Sequence, residues 1–157
     1  MTIKLDIGYI PCHPKIVDAM LTLAHLTEKD VLYDLGCGDG RIIIRAAQQY
    51  NVKGIGIDLD PQRIKQANIN AKLAGVNRRV TFLCQNLFDT QISQATVVTL
   101  YLLPHLNLKL LPLLLKQLQP GSRIVSRDFD MGDWVASKIW HLQVEEEEVK
   151  LYYWVVR

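Results

Sequence analysis

Between residues 31 and 129 the chain alternates short apolar runs with longer segments of helical periodicity. The apolar runs predict five strands, at 31–35, 52–59, 79–84, 96–103 and 123–129. Apolar residues at helical spacing predict four helices, at 15–26, 41–50, 61–74 and 106–118. Strands that alternate with helices form a parallel sheet with helices on both faces, so we predict an α/β, doubly wound fold.

The C-terminal part departs from this alternation, because two strand patterns follow one another without a helix. Residues 140–145 alternate apolar and polar side chains, as an edge strand does, whereas 149–156 are apolar on both faces. The glutamates between them provide a turn, which predicts an antiparallel β-hairpin whose last strand lies inside the sheet. We therefore expect residues 1–157 to form a single domain with a Rossmann-like seven-stranded sheet.

Two connections are too short for the helices that usually cover such a sheet. Residues 85–95 separate the third and fourth strands, and 130–138 precede the hairpin, whereas a parallel crossover needs about a dozen residues or more. Both connections belong to one face, so we predict reduced helices there. An apolar patch near Trp134, Trp140 and the leucine-rich helix would stay exposed, and would form a homodimer or dock a protein or membrane-embedded substrate.

Composition narrows the class of partner. A net charge of +2 is too small to indicate nucleic acid or an anionic membrane, so we expect no nucleic-acid partner. Prolines and polar residues interrupt the apolar stretch 96–115, so we expect no integral membrane protein. Three cysteines without a CxxC pair predict neither disulfides nor a metal site, and the N-terminus lacks a signal-peptide core. We therefore expect a cytoplasmic protein.

Residues 33–41, YDLGCGDGR, follow the first predicted strand and end where a helix begins. Glycines permit a tight turn and a close approach of the backbone to a ligand. A P-loop needs a lysine that is absent here, and a dinucleotide fingerprint needs glycine at the position of Arg41. The G-x-G-x-G spacing of Gly36, Gly38 and Gly40 instead favours S-adenosylmethionine, which carries no phosphate. A bare structural turn and another nucleotide are the alternatives.

Polar residues at the ends of neighbouring strands support this ligand. Asp34 precedes the glycines, where a carboxylate would meet the ammonium group of the cofactor. Asp58 ends the second strand and is placed to accept both ribose hydroxyls, and Asn86 with the amide of Leu87 would meet the adenine edge. The predicted cofactor-binding residues are Asp34, Gly36, Cys37, Gly38, Asp39, Gly40, Asp58, Leu59, Asn86 and Leu87.

At these residues the chain resembles the class I, seven-β-strand methyltransferases over nearly its whole length. A narrower resemblance, to a bacterial and mitochondrial subgroup, rests on GYIPCHPKIVDAML, DVLYDLGCGDGRIII, VTLYLLP and LQPGSRIVSRDFDMGDW. The mitochondrial members are lysine methyltransferases that act on the ATP synthase c-subunit and the adenine nucleotide translocase. The resemblance implies an S-adenosylmethionine-dependent methyltransferase, with protein lysine N-methylation as its activity.

On the acceptor side, the resemblance implies that Tyr9, Pro11 and Tyr101 border the methyl-transfer site, with Tyr9 and Tyr101 as candidate catalytic residues. The Thr-Pro of the subgroup is Cys12-His13 here, so an expected hydroxyl is absent. This departure and the missing substrate-recognition insertions keep a small-molecule methyltransferase as an alternative. A module that binds the cofactor without turnover is the other.

Several residues after the fourth and fifth strands have two interpretations. Asp128, Asp130 and Asp133 are either proton acceptors for a lysine amine or solvated loop acids. The rings of Tyr101 and Trp134 either hold a cation by cation–π contact or pack in the core.

Overall fold

The computed structural model describes residues 12–157. The strands are β1 (Val31–Leu35), β2 (Lys53–Asp58), β3 (Val80–Cys84), β4 (Val97–Leu100), β5 (Arg123–Arg127), β6 (Lys138–Val144) and β7 (Glu147–Val155). The helices are α1 (Pro14–Leu23), α2 (Arg41–Tyr50), α3 (Pro61–Leu73) and α4 (Pro104–Gln117), with a 3-10 turn at Leu87–Asp89. None of the helices in the described residues is long and apolar enough to cross a membrane.

The seven strands form one sheet in the order β3-β2-β1-β4-β5-β7-β6. Strands β1 to β5 pair in parallel, and β7 lies antiparallel between β5 and β6. This confirms the predicted Rossmann-like sheet and its C-terminal hairpin. The strand order reverses between β1 and β4, so the carboxyl ends of these strands open the crevice in which such sheets bind ligands.

Helices α1, α2 and α3 cover one face of the sheet, here called the α1 face, and α4 covers the other, the α4 face. The two short connections hold only the 3-10 turn after β3 and an isolated bridge between Met131 and Trp134 after β5. Loop side chains such as Ile92 and Met131 fill the core where helices would otherwise lie. The prediction of reduced helices on one face is confirmed.

The predicted apolar patch is wrong in its composition, because its two tryptophans lie on opposite faces. Trp134 packs against Trp154 on the α4 face, with 5.7 Å between ring centroids. Trp140 pairs with Leu151 and packs in the core of the α1 face. Trp134 lies in the loop before β6, whereas Trp140 lies within that strand and points to the α1 face. The large exposed apolar side chains of α4, of the loop between β5 and β6, and of β6 are Leu108, Leu115, Val135 and Ile139.

Three element ends show how local chemistry sets the boundaries. The Asp60 carboxylate caps α3 by accepting a hydrogen bond from the backbone N–H of Gln62 (2.9 Å), and Gly75 (φ +75°) follows its C-terminus, both as predicted. Strand β4 ends three residues earlier than predicted. Residues 101–103 connect β4 to α4, which begins at Pro104, and Leu103 has the extended backbone that a following proline favours.

A buried ion pair joins the amino-terminal edge of the sheet. Asp30, just before β1, accepts hydrogen bonds from Arg123 Nη2 of β5 (2.9 Å) and from the Thr96 hydroxyl (2.7 Å). Burial alone would raise the pKa of Asp30, but hydrogen bonds from the Thr27 amide and these two side chains outweigh it and lower the pKa. Arg123 also donates to two carbonyls at the end of α1.

Replacing the Asp30 carboxylate tests how much this buried ion pair contributes to stability. Asp30→Asn should lower the free energy of unfolding at pH 7 by about 3 kcal/mol, because the Arg123 guanidinium loses its counter-charge. Since the folded-state pKa of Asp30 is lowered, the wild type keeps this contribution above pH ~4 and loses it as the pH falls through the folded-state pKa. Urea denaturation at pH 7 and pH 3 measures both effects.

The exposed pair between Asp18 and Arg45 provides a matched control. Its N–O distance is also 2.9 Å, but the two side chains are 42% and 43% exposed. Asp18→Asn should therefore cost less than about 1 kcal/mol. Equal losses in the two variants would contradict the role assigned to burial.

Candidate functional site

The glycine loop, residues 36–40, leads from β1 into α2. Its three glycines have φ angles of +87°, +55° and +84°. The N–H groups of Gly36 and Cys37 donate to the carbonyl of Ile57 on β2, at 2.7 and 2.9 Å. The loop is therefore fixed to β2, beside the point where the strand order reverses.

Gly40 shows why this loop requires glycine. It precedes α2 in the left-handed conformation, and a Cβ there would lie 2.7 Å from the Phe82 ring and 3.1 Å from Ala67. A side chain would push α2 away from β3 and α3 and would also strain the backbone. The close approach of the loop to its neighbours is thus a condition of the fold as well as of any ligand.

Asp58 is held at the carboxyl end of β2 by two backbone groups. Its Oδ2 accepts from the N–H of Gly38 and its Oδ1 from the N–H of Asp60, both at 2.9 Å. These bonds fix the carboxylate in one orientation relative to the glycine loop and the start of α3. Each oxygen keeps a further lone pair, so the group can accept two more hydrogen bonds, as a pair of ribose hydroxyls would donate.

Asp34 is a buried carboxyl on β1, and the Thr99 hydroxyl of β4 donates to it at 2.9 Å. Burial raises the pKa of the Asp34 carboxyl to about 7 against the opposing hydrogen bond from Thr99, and the charges of Asp58 and Asp39 add to the rise. A cationic group beside Asp34 would favour its ionised form.

Two of the predicted cofactor-binding residues, Asp39 and Cys37, have side chains that already make contacts within the protein. Arg41 donates to both Asp39 oxygens, from Nε at 3.0 Å and Nη2 at 2.6 Å, and also to the carbonyl of Cys12. The Cys37 thiol is buried, 2.8 Å from where a Cβ on Gly56 would lie, and burial raises its pKa. We expect Asp39 and Cys37 to meet a ligand through their backbone.

The predicted adenine side is formed by the turns after β2 and β3. Leu59 follows Asp58 and is 68% exposed, which provides an apolar surface. Asn86 Oδ1 accepts from the N–H of Phe88 (2.9 Å), so its carbonyl caps the 3-10 turn, a role that sequence reasoning missed. Within the described residues no acceptor binds the N–H of Leu87, which leaves this group for a ligand.

The turn after β3 is held by α4 because it has no covering helix of its own. Gln117 Oε1 accepts from the N–H of Ile92 (2.7 Å), and its amide donates to the Thr90 carbonyl (3.4 Å). The buried Thr90 hydroxyl donates to the Asn86 carbonyl (2.9 Å). Sequence reasoning missed Gln117 and Thr90, since nothing local marks a polar helix residue as a partner of a distant turn.

Tyr101 leaves β4 on the α1 face, the face to which Asp34 and Thr99 also belong. The Arg127 guanidinium lies 4.3 Å from the centroid of its ring, and the Phe129 ring stacks at 6.4 Å. Burial raises the pKa of Tyr101 and Arg127 opposes the rise, so the hydroxyl stays protonated at neutral pH. Among residues 12–157 no hydrogen bond reaches this hydroxyl, whereas the ring already has a cation against it.

Arg127 is a further residue at this end of the sheet that sequence reasoning missed. It is 2% exposed and donates to Cys12 Sγ (3.2 Å), Glu147 Oε2 (2.8 Å) and Asp128 Oδ2 (3.3 Å). The available signal was that Arg127 follows the apolar residues of a predicted buried strand, RIVSRDF. The thiol of Cys12, where the subgroup has threonine, therefore faces a guanidinium.

The other acceptor-side predictions are only partly brought together. Tyr9 and Pro11 lie outside the described residues. Asp128 accepts from the N–H of Lys150 (3.0 Å) as well as from Arg127, so it lies near Tyr101 with its carboxylate engaged. Asp130 accepts from the N–H of Gly132 and Asp133 is exposed, as loop acids are. Trp134 packs against Trp154, from which its carbonyl also accepts a hydrogen bond.

Comparison with known proteins identifies a family and several relatives of this chain. The family described as the ANTKMT methyltransferase domain matches residues 34–138. A protein-lysine N-methyltransferase of Saccharolobus islandicus is 39% identical over 96% of this chain and 94% of its own length. The adenine nucleotide translocase lysine N-methyltransferase of Mus musculus is 27% identical over 84% of this chain, which spans only 57% of that relative.

A solved structure shares both the fold and a ligand of the predicted class. The RNA methyltransferase from Salinibacter ruber, crystallised with S-adenosyl-L-homocysteine, is 50% identical, with a TM-score of 0.88 and coverage of 94% of each chain. S-adenosylhomocysteine is what remains of S-adenosylmethionine after methyl transfer, so the cofactor prediction is confirmed. The chain belongs to the ANTKMT methyltransferase domain family and is an S-adenosylmethionine-dependent methyltransferase.

Proposed function

We propose that this enzyme methylates the side-chain amine of a lysine in a protein. The observation that carries the proposal is the nearly full-length similarity to the protein-lysine N-methyltransferase of Saccharolobus islandicus. The charges beside Tyr101 agree with it, because two carboxylates, Asp128 and Glu147, surround the single Arg127 cation and leave a net negative charge. Carboxylates at this place attract a cationic side chain and repel a phosphate backbone.

On the cofactor side, the proposed contacts use groups that the fold leaves available. Asp34 would accept a hydrogen bond from the ammonium group, and Asp58 would accept from the ribose hydroxyls. Leu59 would pack against the adenine and the Leu87 N–H would donate to it, while Asn86 acts mainly as a cap of the turn. The glycine loop would contribute backbone N–H groups and would allow the backbone to approach the cofactor closely. When bound, S-adenosylmethionine supplies an electrophilic methyl group.

On the acceptor side, the protein has to hold a neutral amine in line with that methyl group. A free lysine has a pKa of about 10.4, so it must lose a proton before it can attack. Tyr101 keeps its own proton at neutral pH, so its hydroxyl would orient the amine and would not deprotonate it. With Arg127 over its ring, Tyr101 is a poor cation–π partner for an ammonium group.

RNA is a second candidate acceptor, and one observation favours it. The 50% identical protein from Salinibacter ruber is described as an RNA methyltransferase. The carboxylates beside Tyr101 disfavour RNA, and the absence of a nucleic-acid partner stays a prediction. A small-molecule acceptor and cofactor binding without turnover are further outcomes of the experiment below.

A labelling experiment identifies the acceptor class. Purified enzyme, incubated with host lysate and cofactor labelled in the methyl group, should place the label in protein, as methyllysine after acid hydrolysis. Protease should release this label and ribonuclease should not. Ribonuclease-sensitive label would identify RNA, and label confined to the small-molecule fraction a small-molecule methyltransferase. No label would indicate a binding module.

The cofactor site is tested by removing one charge. Asp58→Asn should weaken S-adenosylhomocysteine binding at least tenfold in calorimetry, because the amide has one acceptor oxygen and no charge. The neighbouring Asp60→Asn is the matched control, since asparagine caps a helix as well as aspartate does, and it should change the affinity less than twofold. Unchanged binding in Asp58→Asn would contradict the proposed site.

Asp34→Asn should stabilise the cofactor-free enzyme while it weakens cofactor binding. The pKa of Asp34 is raised to about 7 in the folded state. The folded protein therefore keeps a proton that the unfolded chain has released between pH ~4 and 7, and wild-type stability falls over that range. The gain in the variant is up to about 4 kcal/mol at pH 8 and disappears towards pH 4. Urea denaturation across this range measures it, and a gain independent of pH would refute the assignment.

A further inference from the structure

Arg127 is a buried cation at the acceptor side to which the proposed function gives no role. It ends β5 and is 2% exposed. Taking a guanidinium out of water is costly, and a buried ion pair contributes little to stability compared with a well-packed apolar residue. The residue therefore requires a reason other than the stability of the fold.

The contacts of Arg127 join four segments of the chain at one place. Its guanidinium donates to Cys12 before α1, to Glu147 at the start of β7 and to Asp128 in the loop after β5. The same group lies over the ring of Tyr101 after β4, 4.3 Å from the centroid. A planar fork with five donors can make these contacts together, whereas an ammonium group cannot.

Tyr101 connects this cluster to the cofactor side. Two residues before it, Thr99 donates to Asp34. One residue after it, Leu102 lies 3.2 Å from where a Cβ on Gly36 would be. The guanidinium restrains the ring of Tyr101, so the position of the hydroxyl relative to the glycine loop depends on Arg127.

We propose that Arg127 is a positioning residue for the methyl acceptor. It holds the Tyr101 ring and the Glu147 carboxylate so that the hydroxyl and the carboxylate face the incoming nucleophile in a fixed arrangement. That the nucleophile is a lysine amine rests on the proposed function, whereas the positioning applies to any acceptor that binds at Tyr101. Removal of the fork should slow turnover and leave cofactor affinity unchanged.

Three variants test this, with turnover and cofactor affinity measured separately. Arg127→Lys keeps the charge and loses the fork, and should lower kcat by about 10- to 100-fold. Glu147→Gln, at a side chain that is 58% exposed, weakens one charge-assisted hydrogen bond and should lower kcat about fivefold. Glu148→Gln is the control, since its side chain points to the opposite face of β7, and it should stay within twofold of the wild type.

Calorimetry with S-adenosylhomocysteine separates positioning from a merely structural role. Affinity within twofold of the wild type, together with the ordered fall in kcat, supports the proposal. Equal kcat in all variants, or a parallel loss of cofactor affinity, would overturn it. If Arg127→Lys does not fold, the comparison of Glu147→Gln with Glu148→Gln decides by the same criteria.

Wild-type turnover on lysate is measured first, which keeps the two proposals apart. Label on RNA or on a small molecule overturns lysine as the acceptor, and kcat is then compared on that acceptor. Absence of turnover with every acceptor overturns both.

Discussion

The hydrogen bond from Thr99 to Asp34 joins the neighbouring strands β4 and β1 where the strand order reverses. At this point β1 and β4 are neighbours whose following segments separate, one into the glycine loop and the other towards α4. Asp34 is buried there with a raised pKa, which makes the cofactor-free protein less stable at neutral pH than an uncharged residue would. In the proposed cofactor site, a poorly solvated carboxyl thus lies in the centre of the sheet at a cost to the stability of the cofactor-free protein.

The two faces of the sheet differ in the residues and helices that they carry. Strand alternation brings Asp34, Thr99, Tyr101 and Arg127 to the α1 face, which has three helices. The α4 face has one helix, and loop side chains complete its core. The fold can therefore be small without loss of the residues around the crevice, because α4 holds the turn that replaces the missing helix after β3.

Local patterns were sufficient for the elements and for much of the cofactor side. Helix α2 spans Arg41–Tyr50 as predicted, because the preceding glycines mark its start. Asp58 ends β2, where the apolar pattern predicted the carboxyl end of a strand. The acceptor side could not be read in this way. Arg127 and Cys12 are 115 residues apart, and nothing near either residue indicates the other. Such contacts depend on how the strands are ordered, which periodicity does not specify.

The contacts between residues 12–13 and the C-terminal hairpin have a consequence for synthesis. His13, which caps α1, lies 3.3 Å from Glu145 in the hairpin turn, and Arg127 joins Cys12 to Glu147. The residues of the proposed cofactor site, from Asp34 to Thr99, leave the ribosome well before the hairpin does. A nascent chain that ends before β6 lacks Glu147, and therefore one of the two carboxylates near Tyr101. Because translation runs from the amino terminus, the contacts of Arg127 are complete only after the last two strands of the sheet have been made.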